Sequence, residues 1–302
     1  MFFISTQKTY AIIDPNCYSK GTCLGSDSSS SSSPSVGNEI RLNPAAVPTE
    51  KGFGLETIYY NDAEWSIVQG LGRAGAAISP ANSEETFFGP PSVELNSDYL
   101  QRHLDHDKYK SQKYTLSTAF KITKKTSKKN SLKLNLGVMA KYNKFTKNIT
   151  PGGGLAGSFG PVQFGGSYYL DETQLSPELD DAARPTPTRY KVQTYNIGLY
   201  LTSIILSYSY LQMNLENGDT QSINSVLTAS LFYNRFIFNL AGRIENSSRQ
   251  WYNPDSKLLE SKQIKNDYFG GIQVRLNKNI MLGSFYNYYL LNEFSTTLTL
   301  FF

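Results

Sequence analysis

EFSTTLTLFF, residues 293–302, is the stretch of sequence that decides the fold of this chain. Its apolar and hydroxyl-bearing residues largely alternate, and successive side chains of a β-strand point to opposite faces. The stretch is therefore predicted to be a strand with one apolar wall and one polar wall. The apolar wall carries Phe294, Leu298, Leu300 and Phe302.

The same alternation recurs upstream, beginning at residue 52. It is clearest in residues 114–122, 132–142 and 236–244, each of which has one apolar and one polar wall. Such segments are typical of membrane-spanning β-barrels, with lipid outside and water or a plug inside. We predict an all-β fold, an antiparallel transmembrane β-barrel of about fourteen strands, or about twelve if residues 84–89 and 154–159 are loops. The predicted strands are residues 52–60, 63–70, 84–89, 113–122, 131–142, 154–159, 161–170, 189–201, 203–213, 222–234, 236–247, 265–276, 279–290 and 293–302.

Composition agrees with a barrel and excludes a helical membrane protein. Charged residues make up 18% and aromatic residues 13% of the chain, with 21 Tyr and 17 Phe. A membrane-spanning helix needs a run of about 18 or more apolar residues, and the sequence has none. Tyr and Phe in excess suit the aromatic girdles of a barrel at the two membrane interfaces. A soluble all-β sandwich is the alternative interpretation of the aromatic residues.

The final strand resembles the insertion signal at the carboxyl end of outer-membrane β-barrels, through the four apolar residues named above and the terminal aromatic ring. The resemblance implies an integral protein of the Gram-negative outer membrane, with membrane lipid and the barrel assembly machinery as partners. Counted back from Phe302 in the periplasm, most short connections fall on the periplasmic side and most long ones outside, as in such barrels. The stretch 71–83 is an exception, because it is long for a periplasmic turn.

Residues 1–51 lack the alternation and contain SDSSSSSSPSVGN, a polar tract that cannot bury a core. We therefore divide the chain into a periplasmic arm or plug, residues 1–51, and a barrel, residues 52–302. The first eleven residues look like the tail of a secretory signal without its charged start. Cys17 and Cys23 lie close together and are predicted to form a disulfide in an oxidising compartment, because a zinc site would need four ligands.

The motif Asn43, Pro44 and Ala45 lies in RLNPAAVPTEKGFG, residues 41–54, just before the first predicted strand. An Asn-Pro-Ala element in an amino-terminal plug, followed by an aromatic-rich barrel, resembles the long-chain fatty acid transporter family of outer-membrane proteins. The resemblance implies passive uptake of a small hydrophobic molecule. That molecule would be held in an outer pocket and released through the barrel wall or past the plug.

Polar residues on the inward-facing walls are predicted to line the lumen. Cations outnumber anions among them, which in an open pore would favour anions. The alternative is that they pair with each other or with the plug and conduct no solutes, because a barrel of this size is often filled. The candidates are Lys121, Lys133, Lys141, Asn239, Arg243, Glu245, Asp267, Gln273 and Arg275.

Other motifs favour plain structural roles, so we predict no enzyme, no cofactor, no metal and no nucleic-acid partner. His103 and His106 lie in a charged stretch without a nearby nucleophile motif and are more typical of a solvated loop than of a metal or catalytic site. The glycines of residues 152–160 fit a bent or close-packed strand better than a phosphate-binding loop. The basic stretch 123–130 has no interleaved aromatic residues, unlike a nucleic-acid surface.

The sequence therefore predicts passive transport of small solutes, with hydrophobic solutes implied by the family resemblance alone. The alternative is a non-transporting barrel that acts as a membrane anchor or a scaffold for a protein partner. An apolar pocket or a kinked wall strand would favour the first function. A lumen blocked by the arm, in a wall without a lateral opening, would favour the second.

Overall fold

In the computed structural model, the described residues are 40–49, 51–60, 62–81, 113–123, 132–144, 147–174, 187–201, 203–215, 220–253, 258–277, 279–287 and 293–302. Cys17, Cys23, His103, His106 and the segment 84–89 lie outside these residues, and the roles predicted for the cysteines and histidines stay predictions.

The described residues form a closed barrel in which every strand pairs with its neighbours in the chain and β1 pairs with β14. All fourteen pairings are antiparallel, which confirms the predicted fold and rules out twelve strands. The strands are β1 Gly52–Tyr60, β2 Asp62–Gly70, β3 Ala74–Ala81, β4 Lys113–Lys121, β5 Lys133–Asn143, β6 Ile149–Phe159, β7 Val162–Gln174, β8 Pro187–Leu201, β9 Ile204–Leu215, β10 Thr220–Tyr233, β11 Phe236–Asn253, β12 Leu258–Arg275, β13 Ile280–Asn287 and β14 Glu293–Phe301.

The third strand lies earlier in the sequence than predicted. Residues 71–83 were expected to be a turn, but Ala74–Ala81 is β3, so only residues 71–73 connect it to β2. The sequence of β3, AGAAISPA, has mostly small side chains and therefore lacks the alternation of large apolar and polar residues that marks the other strands. The shorter connection also removes the exception among the periplasmic turns. We call the end of the barrel with residues 71–73 and Phe302 the turn end, and the opposite end the loop end.

The two faces of the wall differ as the alternation predicts. On β4, Leu116 and Phe120 point outward and are 54% and 53% exposed, whereas Ser117 between them is 1% exposed. The same division places Leu136 and Val138 outside on β5. A barrel in lipid must present apolar side chains outward and satisfy its backbone polar groups within a closed sheet. The chain has the fold of a bacterial outer-membrane protein.

Among the described residues, no helix is long and apolar enough to cross a membrane.

The carboxyl-terminal strand closes the barrel against β1. The Phe53 N–H donates to the Phe302 carbonyl at 3.0 Å, and the Phe302 N–H donates to the Phe53 carbonyl at 2.8 Å. Their ring centroids lie 5.9 Å apart. Phe302 is exposed while Thr297 and Thr299 are buried on the inward face, so β14 divides into the two predicted walls. Action of this strand as an insertion signal stays a prediction.

Candidate functional site

Residues 40–49, which we call the lumenal segment, lie inside the barrel. At the turn end, the Thr49 carbonyl accepts a hydrogen bond from the Gly72 N–H at 2.7 Å. Farther into the lumen, the Ser117 hydroxyl of β4 donates to the Ile40 carbonyl at 2.8 Å. The Ser167 hydroxyl of β7 donates to the Leu42 carbonyl. The segment therefore follows the inner wall from the turn end toward the middle of the barrel.

The Asn-Pro-Ala motif forms a 3₁₀ turn, Pro44–Ala46, that is fixed to the wall by Asn43. The Asn43 Oδ1 accepts from the Ala45 N–H at 3.0 Å and caps the turn, a role for which Asn is well suited. The Asn43 Nδ2 donates to the Leu155 carbonyl of β6 at 3.2 Å. Proline at the start of the turn loses no hydrogen bond, because the first N–H would have no partner within it. One amide group thus both caps the turn and attaches it to the barrel.

Wall glycines make room for this turn. A Cβ on Gly137 of β5 would overlap the Ala45 nitrogen, and a Cβ on Gly154 of β6 would overlap Oδ1 of Asn43. On β3, a Cβ on Gly75 would overlap the carbonyl oxygen of Pro48. Close approach of one backbone to another is a common reason for glycine in a strand. The prediction that the glycine run of β6 belongs to a close-packed strand is confirmed.

Apolar side chains of the lumenal segment pack against several parts of the wall. Ile40 and Val47 are fully buried in one cluster that also contains inward side chains of β2, β3, β4, β11 and β13. Leu42 belongs to a second cluster with β5, β7, β8 and β9. Because β4 and β11 lie on well-separated arcs of the ring, the first cluster reaches across the lumen. The segment therefore packs against opposite sides of the wall near the turn end.

The seam between β2 and β3 has the shortest ladder in the described barrel. Paired residues run only from Gly70 opposite Gly75 to Ile67 opposite Ile78, although β2 continues to Asp62 and β3 to Ala81. By comparison, β3 pairs along its full length with β4. The pairing between β2 and β3 thus covers the turn end and stops before the loop end.

A buried ionic cluster lies farther toward the loop end. Asp171 of β7 accepts from the Lys113 Nζ at 2.9 Å and from the Lys141 Nζ at 3.1 Å. The Lys141 Nζ also lies 3.8 Å from the centroid of the Tyr169 ring, a cation–π geometry. β6 runs between β5 and β7 and carries Gly152 at this point, where a Cβ would overlap the Tyr169 Cβ. The absence of a side chain at Gly152 leaves room on the inner wall for Tyr169 and Met139.

The predicted lumen-lining residues divide into three groups. Lys141, Asn239 and Gln273 are buried on the inward face, and the Asn239 Nδ2 donates to the Gln273 Oε1 at 3.4 Å. Three others are half-buried on strands or strand ends: Lys121, Lys133 and Arg275. For Arg243, Glu245 and Asp267 the structure describes the backbone alone. Arg243 lies opposite Asp267 across β11 and β12, and Glu245 is two residues beyond Arg243 on β11.

Sequence reasoning missed four residues of this site: Arg41, Pro80, Lys113 and Asp171. Asp171 lies one residue beyond the predicted strand 161–170, yet β7 continues to Gln174, so Ser167, Tyr169 and Asp171 share one inward wall. Extending the alternation by a few residues would have found it. Within the part of the chain that the structure describes, no group of three or more His, Cys, Asp or Glu side chains could hold a metal ion.

The fold and the lumenal segment define the class of protein: a fourteen-stranded β-barrel of the outer-membrane type that holds part of its own chain in the lumen. No family model matches the chain. No curated protein matches it either.

Solved structures offer similarities of fold. The toluene transporter TbuX of Ralstonia pickettii is 13% identical, with 93% of this chain and 95% of that chain covered and a TM-score of 0.45. The CymD monoaromatic hydrocarbon channel is 11% identical, with 95% of each chain covered and a TM-score of 0.42. A loop L8 deletion mutant of OmpT, an outer membrane protein of Vibrio cholerae, is 6% identical, with 83% and 97% covered and a TM-score of 0.43. At these identities and TM-scores the similarities carry no argument about function.

Proposed function

We propose that this protein passively transports small hydrophobic solutes across the outer membrane and that the solute leaves the lumen sideways, between β2 and β3. The observation that carries the proposal is the ladder of only four residue pairs at this seam, in a barrel whose lumen is occupied near the turn end by the lumenal segment. A straight path along the lumen meets packed side chains. A path through the wall meets the shortest of the described strand pairings.

The chemistry of a lateral path selects apolar solutes. A molecule that leaves through the wall enters the hydrocarbon part of the membrane, where polar groups without hydrogen-bond partners cost several kcal/mol each. A small apolar solute pays no such cost. The resemblance of the Asn-Pro-Ala motif to the long-chain fatty acid transporter family supports the same solute class.

Lumen geometry argues against a simple aqueous pore. Inward hydroxyl and amide groups bond to each other across strands, as Ser230 does to Asn239 at 2.7 Å and Asn239 to Gln273. Lys141 is held by Asp171, and the lumenal segment supplies carbonyls to Ser117 and Ser167. Groups paired in this way do not form a hydrated path for ions. An anchor or scaffold function would also tolerate a filled lumen, but it gives no reason for the interrupted ladder.

A disulfide across the seam tests the proposal. The hydroxyls of Ser66 on β2 and Ser79 on β3 lie 2.8 Å apart, just beyond the last paired residues. We would make Ser66→Cys with Ser79→Cys in a Cys17→Ser, Cys23→Ser background. The control joins Ser207→Cys and Thr228→Cys, which face each other across the long ladder between β9 and β10. The readout is entry of the hydrophobic fluorophore N-phenyl-1-naphthylamine into cells that produce each variant.

Oxidation of the Ser66 and Ser79 variant should slow probe entry to the rate of cells without the protein, and a reductant should restore it. Oxidation of the control variant should leave the rate unchanged. Equal probe entry in the oxidised test and control variants would exclude a route through this seam and favour the scaffold function.

A further inference from the structure

We infer that Arg41 is the positioning residue that holds the β2–β3 seam closed, so that the lumenal segment controls the opening of the wall. The consequence for transport rests on the proposed function. The inference about the seam itself rests on four hydrogen-bonding groups from β2, β3 and the segment.

The end of the ladder has a chemical cause in Pro80. The Leu71 N–H donates to the Ala74 carbonyl at 2.8 Å, so Ala74 directs its backbone groups toward β2. Alternate residues of an antiparallel strand direct these groups to the same neighbour, so Pro80, six residues on, also faces β2. Proline has no N–H to donate. The ladder ends at Ile78, which is the last residue before Pro80 among those that face β2.

Arg41 occupies the place that strand pairing leaves open. Its Nη2 donates to the Pro80 carbonyl at 3.1 Å, and its Nε donates to the Ser79 Oγ at 2.7 Å. The Ser79 Oγ lies 2.8 Å from the Ser66 Oγ on β2. A chain of hydrogen bonds thus joins the lumenal segment to β3 and, through Ser79, to β2. The guanidinium takes over a carbonyl that a longer ladder would have bonded to β2.

Burial makes these bonds costly to lose. Arg41 is 7% exposed, Ser79 is fully buried and Ser66 is 2% exposed. A buried carbonyl or hydroxyl without a partner costs more than an exposed one, and hydrogen bonds to a charged group are the stronger ones. The guanidinium holds its donors in a fixed planar geometry and can bond two acceptors at once. The ammonium group of a lysine lies on a flexible side chain and does this less well.

The neighbours of Arg41 fix its position. The Ile40 carbonyl is bonded to Ser117 of β4, and the Leu42 carbonyl is bonded to Ser167 of β7. Arg41 is therefore held between two attachments to the wall. Movement of this part of the segment would withdraw the guanidinium from Ser79 and Pro80, and the bond between Ser66 and Ser79 across the seam would lose the support of the lumenal segment.

Amide hydrogen exchange of the full-length protein in lipid nanodiscs tests this role directly. In Arg41→Gln, peptides covering residues 62–70 and 74–81 should exchange faster by at least about tenfold, the factor that corresponds to losing one of the two hydrogen bonds of the charged group. Ser79→Ala, which keeps Arg41 but removes both its hydroxyl acceptor and the bond to Ser66, should also speed exchange in the same peptides. Lys141→Gln removes a different buried cation of the lumen and should leave these peptides unchanged.

Uptake of N-phenyl-1-naphthylamine by cells separates the two proposals. Faster exchange at the seam together with faster uptake in Arg41→Gln supports both. Faster exchange with unchanged uptake supports the role of Arg41 and overturns the lateral route. Unchanged exchange at the seam in both Arg41→Gln and Ser79→Ala, or an equal effect in Lys141→Gln, overturns the role of Arg41.

Discussion

Asn43 of the lumenal segment and Gly154 of β6 fit together with no space for another atom between them. A Cβ on Gly154 would overlap the Asn43 Oδ1, while the Asn43 Nδ2 bonds to the carbonyl of Leu155, the next residue of the same strand. Gly154 leaves room for the Asn43 side chain, and the Leu155 carbonyl accepts its hydrogen bond. This pair places the Asn-Pro-Ala turn on the wall.

Gly154→Ala should displace the lumenal segment and open the lumen. The new methyl group meets a side chain that is itself bonded on both of its polar atoms, so the turn has to leave the wall. We expect the unaltered protein to conduct no ions in planar bilayers and the refolded variant to show single-channel conductance.

Gly153→Ala is the matched control, because the adjacent Gly153 has only an ordinary contact at 3.6 Å from its Cβ position to the Gly137 carbonyl oxygen. Equal conductance of the two variants would show that the turn does not depend on Gly154. Steady conductance of the unaltered protein would make it a porin.

Asp171→Asn should destabilise the barrel by about 3 kcal/mol, the cost typical of removing one partner from a buried ion pair. The change leaves Lys113 and Lys141 as two neighbouring cations without their shared carboxylate. Lys113→Gln should cost about 1 kcal/mol, because Asp171 keeps its bond to Lys141. The measurement is the free energy of unfolding by urea in lipid vesicles. A loss for Asp171→Asn no larger than that for Lys113→Gln would contradict the shared-carboxylate account.

Phe302→Ala should lower the amount of assembled barrel in cells several-fold while changing the stability of the refolded protein by about 1 kcal/mol or less. The backbone bonds to Phe53 remain in this variant, and only the exposed ring and its contact with Phe53 are lost. Assembled barrel is measured by its shift on gels run with and without heating. Leu276→Ala, another exposed apolar side chain at the turn end, is the control. An equal loss of assembled barrel in both variants would argue against an insertion signal at the terminus.

Alternation predicted most of the strands because lipid and lumen place opposite demands on successive residues. It failed on β3, where the inward positions contain the small residues Gly75, Ala77 and Ser79. Their size is set by the lumenal segment, whose Pro48 carbonyl lies against Gly75 and whose Arg41 bonds to Ser79. Because the size of these side chains is set by residues that are not close to β3 in sequence, β3 itself shows no alternation of large apolar and polar residues.

The candidate site was only partly predictable for the same reason. The Asn-Pro-Ala motif could be singled out by resemblance, and Lys141 by its place on an inward wall. Its partner Asp171 is 30 residues away, and Arg41 is 39 residues from the carbonyl it bonds. Nothing in the residues around Arg41 distinguishes it from a surface arginine. Such pairs become visible only when the ring of strands fixes which inward side chains face each other.

The pairing of β1 with β14 has a consequence for the order of assembly. The lumenal segment is joined to β1 by residues 50 and 51, and β1 reaches its last neighbour only when the final strand of the chain is in place. Once Phe53 and Phe302 are bonded, the wall is continuous around the segment. The segment is therefore enclosed most readily before the ring closes.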